Sequence, residues 1–428
     1  MDVFRLPEEV WMEVFKYLSK SDKLNVRSCC TYFKRLVDHR SLWKNETIVL
    51  RRVKSYKSNF WKTLSFRMLT SVIVYDANEK EWKKIVTSLP WLRSVIVDLS
   101  NVDSDDLTNL SSLRDLKTLT LRFVSDRSGL GKSLTLLPQL EQLSVCFYIA
   151  FDPVRTGLLN AISQLCNLTS LRLHVGRDPI PKQTLHAMLR SLPKLKHLSL
   201  RMWTGQALPD DYLNLSGKDL GSPDLHDGNG LTSLELLNYL DPMLSPMALD
   251  HLPFLESLTV KYDTTVKGRG HLRSWLKSLT HLTELTVKKG HPFRGYARSL
   301  PGTLRSLSLT GMVVTPGALP LAAKKVPDLQ HLHYDPFDVK GDIIAEIPRL
   351  FPQLQTLKIR SNGMSERDLF RLGEMRQMKR LVFLDGRSNR SPISSDLLRR
   401  FQVLTDYRVH VVLSGEATDQ AACLCDFF

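Results

Sequence analysis

Two hydrophobic periods divide this chain. In LPEEVWMEVFKYL, which begins at Leu6, the residues Val10, Trp11, Val14, Phe15 and Leu18 recur at spacings of three and four. That is the apolar stripe of an amphipathic helix, and Met12 widens it. Pro7, Glu8 and Glu9 suit a first turn, where a missing N–H costs nothing and negative charge meets unbonded N–H groups. Glu13 and Lys16 are left for water, and the pattern stops near Tyr17–Ser19. Asp22 can cap a second helix carrying Leu24, Val26 and Cys29. A third runs through Phe33, Leu36 and Val37, and Leu42 with Trp43 closes the unit. A domain of about 40 residues has little chain for a core and usually leans on a metal, disulfides or a partner. This stretch carries no pattern for either of the first two.

Further along, the period changes to two and the pattern repeats. LPWLRSVIV at 89, LRDLKTLTL at 113, LPQLEQLSV at 137, LPKLKHLSL at 192, LPFLESLTV at 252 and FPQLQTLKI at 351 share L-x-x-L-x-L or a close variant. The leading apolar residue falls at 92, 116, 140, 168, 195, 231, 255, 282, 304, 329, 354 and 378, and a further register begins at Leu69 with Val72 and Val74. Most intervals match the period of leucine-rich repeats, which these motifs resemble. In each, alternate leucines of a short strand face inward and the residues between them face out. Helical patterns such as SDDLTNLSSL and TLHAMLRSL lie between strands. No single repeat buries its own apolar face, so the prediction is an α/β solenoid: stacked repeats with a parallel sheet lining a horseshoe. The Asn or Cys usual after the last leucine is mostly missing, Asn362 being the clearest instance. The interval from Leu195 to Leu231 is longer than the rest, and its surplus, over 205–230, is an acidic, Gly- and Pro-rich loop.

Composition narrows the function classes. The 428 residues are 43% hydrophobic and 24% charged, which is ordinary globular usage. Apolar runs stay short of the ~20 residues of a membrane helix, and the N-terminus lacks a basic-then-apolar leader. Six scattered cysteines without a CxxC pair form neither a disulfide framework nor a zinc motif, so a reducing compartment, cytosol or nucleus, is expected. The net charge of +15 favours acidic partners. SGLGKS at 128 misses the phosphate-loop frame because Asp126 stands where the first glycine belongs. The chain carries no H-E-x-x-H, nucleophile elbow or paired-carboxylate constellation, so no catalytic residues, cofactor or metal are expected.

The N-terminal unit resembles an F-box. Leu6, Pro7 and Glu9 match its leading Leu-Pro-x-Glu. Val14, Phe15, Tyr17 and Leu18 match its apolar helix, and Asp22, Leu24, Cys30, Leu36, Leu42 and Trp43 follow in place. Cys29 and Phe33 stand where Val and Trp are usual. With the repeats behind it, the chain resembles the F-box/leucine-rich-repeat proteins. The expected domains are an F-box over 1–45, a linker or capping segment over 46–66, about 12–13 irregular repeats over 67–415, and a tail over 416–428. The resemblance implies a non-enzymatic substrate receptor of a Skp-cullin-F-box ubiquitin ligase. The F-box docks on a Skp-type adaptor and through it a cullin and a RING protein, and the repeats hold a protein substrate. Leu6, Pro7, Val10, Val14, Leu18, Leu24 and Trp43 are expected at the adaptor interface, with Phe15, Cys29 and Leu36 filling the small core.

Outward strand positions name the candidate substrate face. The residue after the last apolar position reads Arg122, Cys146, His174, Arg201, Leu237, Lys261, Lys288, Thr310, Asp335 and Arg360. The neighbouring column adds Arg172 and Lys358, with Glu235 opposing. A basic face of this kind selects an acidic or phosphorylated segment, and Trp203, Tyr262 and Phe123 are candidate anchors. The C-terminal CLCDFF places Cys425 fourth from the end, compatible with prenylation and hence a membrane anchor, although Asp426 fits poorly. Two other readings compete: a repeat scaffold that binds the adaptor without ubiquitin transfer, and a basic nucleic-acid-binding solenoid. The second lacks an aromatic platform for bases, so no nucleic acid is expected.

Overall fold

The computed structural model describes residues 6–75, 77–99, 107–124, 130–147, 152–174, 179–202, 206–214, 230–264, 270–315, 317–337, 341–361, 364–384 and 393–414. Asn362, Trp203, Cys425, the Phe123 side chain and most of the 205–230 insertion lie outside them. The chain divides into two compact units, Met1–Gly176 with Ala187–Lys194, and Arg177–His186 with Leu195–Phe428.

The first unit opens with three helices, α1 (Glu8–Lys16), α2 (Lys20–Cys29) and α3 (Thr31–Val37). The break between α1 and α2 is fixed by a side-chain cap. Ser19 rather than Asp22 is the N-cap: its hydroxyl accepts the Asp22 N–H at 3.1 Å, and Asp22 in turn accepts the Ser19 hydroxyl at 2.6 Å. The Cys30 sulfur caps α3 by accepting the Phe33 N–H.

Repeats begin earlier than the pattern predicts. β1 (Thr47–Leu50) is followed by α4 (Ser58–Phe66), β2 (Ser71–Tyr75) and α5 (Glu79–Ser88). Then come β3 (Ser94–Asp98), β4 (Thr118–Val124), β5 (Gln142–Phe147) and β6 (Ser170–His174). β1 pairs in parallel with β2, so the segment expected as a linker or cap holds a strand and a helix. Its apolar residues are too few and too differently spaced to register as L-x-x-L-x-L; the neighbouring strand supplies the missing order. β2 to β6 continue the parallel pairing.

The second unit runs through β7 (His197–Arg201), β8 (Ser233–Tyr239), β9 (Ser257–Tyr262), β10 (Glu284–Lys288) and β11 (Ser306–Thr310), then β12 (His331–Asp335), β13 (Thr356–Ile359), β14 (Arg380–Phe383) and β15 (His410–Leu413). All pair in parallel with their sequence neighbours. In both units the leading apolar residues are buried, with Leu116, Leu140, Leu282 and Leu354 at 0% exposure. The same leucine positions align strand after strand, for example Leu258, Leu285, Leu307, Leu332 and Leu357. These ladders make the core of each solenoidal unit. TLHAMLRSL contributes the helix Lys182–Arg190 as its spacing predicts, whereas the described part of SDDLTNLSSL forms only a 3-10 turn, Thr108–Ser112.

Candidate functional site

The helix α1 divides its apolar stripe between two tasks. Phe15 turns inward and is 2% exposed; with Trp11 and Phe33 it forms an edge-to-face aromatic cluster, with Trp11–Phe33 centroids 4.9 Å apart and Phe15–Phe33 5.6 Å apart. The other side stays in water. Leu6, Val10 and Val14 are 47%, 42% and 44% exposed, Pro7 is exposed, and Leu24 on α2 is 50% exposed. Leu18 is half-buried. Tyr17, matched to the family pattern but not named as a contact, is the most exposed of the large apolar residues here.

Trp43 is a correction. It is 1% exposed, its indole N–H donates to the Val37 carbonyl, and its ring carries the Arg67 guanidinium 3.8 Å above it. It is a core residue and has no face for a partner. Cys29, expected in the core, is exposed because its helix turns that position outward.

Arg67 lies beyond the three helices, and it ties them to the first repeat. Asp38 accepts hydrogen bonds from Arg67 Nε at 2.9 Å and Nη2 at 2.6 Å, and from Arg27 Nε at 2.8 Å. Burial pushes the Asp38 carboxyl up, but the two arginines prevail and hold it below its usual value. Burial pulls the Arg67 guanidinium down against the attraction of Asp38; a guanidinium stays charged regardless, so Asp38 is the group whose titration is felt. Lys23 adds a second tie. Only 3% exposed, it reaches the Leu42 carbonyl at 3.2 Å and the Glu46 carboxylate at 3.0 Å. A lysine in the α2 pattern reads as a wet position, so sequence reasoning had no signal for its burial.

The candidate substrate residues fall on both units. In the first, Arg122 stands in register with Asp98, and both are 4% exposed, so Arg122 is no open cation. Arg172 is exposed, beside Ser144 on the next strand. In the second unit the outward column is continuous in register from Arg201 through Leu237, Lys261, Lys288 and Thr310 to Asp335. Lys261 is paired with Glu235 at 3.0 Å. Arg360 grips Asp335 through two hydrogen bonds, 2.6 and 3.1 Å long. Lys358 is exposed and pairs in register with His333. Desolvation lowers the His333 pKa, the charges of Lys358 and Arg360 lower it further, and Asp335 works the other way. In the second unit the basic positions of this column are therefore partly neutralised by Glu235 and Asp335. Tyr262 is buried at 3% exposure and fills the core instead of anchoring a ligand.

Comparison with known proteins fits this arrangement. The family model of F-box-like domains matches residues 3–48, the stretch that holds the three helices and the start of β1. A parallel repeat sheet follows it directly. The chain carries an F-box-like domain and is similar to F-box/leucine-rich-repeat proteins. Among its relatives is F-box/LRR-repeat protein 12 of Bos taurus, 23% identical over 266 residues, covering 56% of this chain and 80% of that one. The Homo sapiens protein of the same name is 24% identical over the same span. A solved internalin of Listeria monocytogenes is similar at 14% identity and a TM-score of 0.34, with 82% of each chain covered; at that score the likeness carries no argument. An F-box domain implies a Skp-type adaptor as partner. No described helix is long and apolar enough to cross a membrane. Among the described residues, no three His, Cys, Asp or Glu side chains gather as a metal site.

Proposed function

We propose that this chain is the substrate receptor of a Skp-cullin-F-box ubiquitin ligase. The observation that carries the reading is the open apolar side of the F-box: Leu6, Val10, Val14 and Leu24 stay exposed although Phe15, Leu36, Leu42 and Trp43 complete a core without them. A small domain that leaves such a surface in water is built to cover it with a partner. The adaptor bridges to the cullin and its RING protein, and the repeats hold a protein substrate for ubiquitination and degradation. The receptor's contribution is proximity: it raises the effective concentration of substrate lysines at the charged conjugating enzyme, and the chemistry belongs to other subunits. Arg172, Arg201, Lys288 and Lys358 are the substrate contacts of this reading, with Arg122, Lys261 and Arg360 supporting them from ion-paired or buried positions. An acidic or phosphorylated segment fits that charge.

Co-purification with a Skp-type adaptor tests it. The intact chain forms a stoichiometric complex, and the Val10→Asp/Val14→Asp variant loses it with an unchanged melting temperature, since both positions face water. Absence of a complex with the intact chain would overturn the reading. Ubiquitin transfer in the reconstituted assembly then separates a ligase receptor from an adaptor-bound scaffold.

A further inference from the structure

Immediately after β1 the chain turns sharply at Arg52, which adopts the left-handed conformation with φ 52° and ψ 58°. A non-glycine residue held there stores strain of about 1 kcal/mol or more, and such strain persists where the surroundings over-determine it. The turn leads Arg51, Arg52 and Lys54 to one cleft of about 550 Å³, whose other wall is formed by Tyr75, Asn78 and Glu81.

The cleft is prearranged. The Arg51 guanidinium lies over the Tyr75 ring at 4.9 Å, and the Arg51 backbone N–H donates to the Tyr56 hydroxyl at 3.1 Å. Among the described residues the one carboxylate in the lining is already engaged: Glu81 accepts the Asn78 backbone N–H at 2.9 Å in the capping box of α5 and is buried. Arg51, Arg52 and Lys54 are exposed and have no carboxylate partner among the described residues. Lys57 and Lys84, also exposed, extend the positive field toward the stacked Tyr56 and Phe60 rings. Three cations lining one cleft raise its positive potential, which favours an anion there. Two of them are arginines, whose planar forks match tetrahedral oxyanions two bonds at a time.

From this geometry we propose that the cleft between the end of β1 and the start of α5 binds a phosphoryl group, gripped by Arg51, Arg52 and Lys54. The site is separate from the F-box face, and its Tyr75 wall begins the outward column of the first unit, in register with Asp98 and through it Arg122. The phosphoryl group comes either from a phosphorylated protein segment or from free phosphate and its anhydrides, and affinity distinguishes the sources.

The test is calorimetric titration of the full chain with inorganic phosphate, with pyrophosphate, and with a Gly-flanked phosphoserine hexapeptide beside its unphosphorylated twin. Saturable binding of the phosphorylated probes, and none of the twin, is expected. Arg51→Ala weakens it about tenfold, the worth of one charge-assisted hydrogen bond. Arg52→Gly is the decisive variant. Glycine accepts the left-handed turn freely, so melting stays at or above the parent temperature while binding falls by a similar factor. Arg273→Ala, at an exposed position of the second unit, leaves binding unchanged. A phosphopeptide that binds far more tightly than free phosphate assigns the source to a protein segment; equal affinities assign it to the free anion. No saturable binding of any phosphorylated probe overturns the proposal, as does undiminished binding by the well-folded Arg52→Gly chain.

Discussion

Asp38 bears more of the first unit's stability than its place in a helical pattern suggests. It accepts from two arginines, and one of them, Arg67, simultaneously covers the Trp43 ring. Removing the carboxylate leaves a guanidinium with 6% side-chain exposure and no counter-charge. Breaking a buried pair from one side costs about 3 kcal/mol. Asp38→Ala is therefore expected to lower the unfolding free energy by about that amount in urea. The pH dependence follows from the lowered folded pKa. The stabilisation is present above the ordinary carboxylate value of 3.8 and is lost as pH falls through the folded value, so the parent loses stability below about pH 4 more steeply than the variant. Matching acid limbs for the two proteins would show that Asp38 does not carry this term.

At the scale of elements, the strands were the most legible feature of the sequence and the joints the least. Recurring period-two leucines mark β3 to β14 because one inward face is dry in every copy. β1 escaped because its neighbours, not its own composition, decide its pairing. The F-box helices were legible from spacing, and Phe15 and Leu36 sit where that spacing puts them. Spacing gives a residue's side of a helix but not what covers that side, which is why Trp43 and Cys29 exchanged surface and core. Of the basic column, sequence shows the alignment but not the pairing: nothing in the spacing says that Arg360 is held by Asp335.

The connection from β9 to β10 was equally hidden. There Asp241, from the loop after β8, is hydrogen-bonded by His291 at 2.7 Å and by the His271 N–H at 3.1 Å. A Cβ on Gly270 would stand 2.2 Å from both Asp241 Oδ2 and His291 Nε2. Gly270→Ala should thus destabilise the second unit by about 3 kcal/mol, the upper range for overpacking. A denaturation midpoint equal to the parent's would mean that the loop yields more easily than its contacts imply.

For the molecule as a whole, the net charge of +15 needs an interpretation residue by residue. Of the 59 Lys and Arg behind it, some are matched internally, in pairs such as Lys261–Glu235 and Arg360–Asp335. Arg172 and Lys358 are exposed strand positions whose charge reversal should leave the fold intact. Arg172→Glu and Lys358→Glu are each expected to weaken capture of an acidic substrate about tenfold in a pull-down, with unaltered melting. Lys261→Glu is a poorer test, because it would set a second carboxylate against Glu235. Undiminished capture by both reversed chains would remove the sheet face from the substrate-binding account.

The tie through Asp38, Arg67 and Trp43 bears on how proteins with an F-box-like domain are assembled from parts. The family boundaries suggest a cassette of some fifty residues that could be transplanted from one chain to another. Here the cassette does not close at residue 48. Cut there, it would carry away a bared indole and a carboxylate that has lost one of its two arginines. The smallest exchangeable piece ends after Arg67, so any graft, natural or deliberate, has to bring the first strand and helix of the repeats along with the F-box.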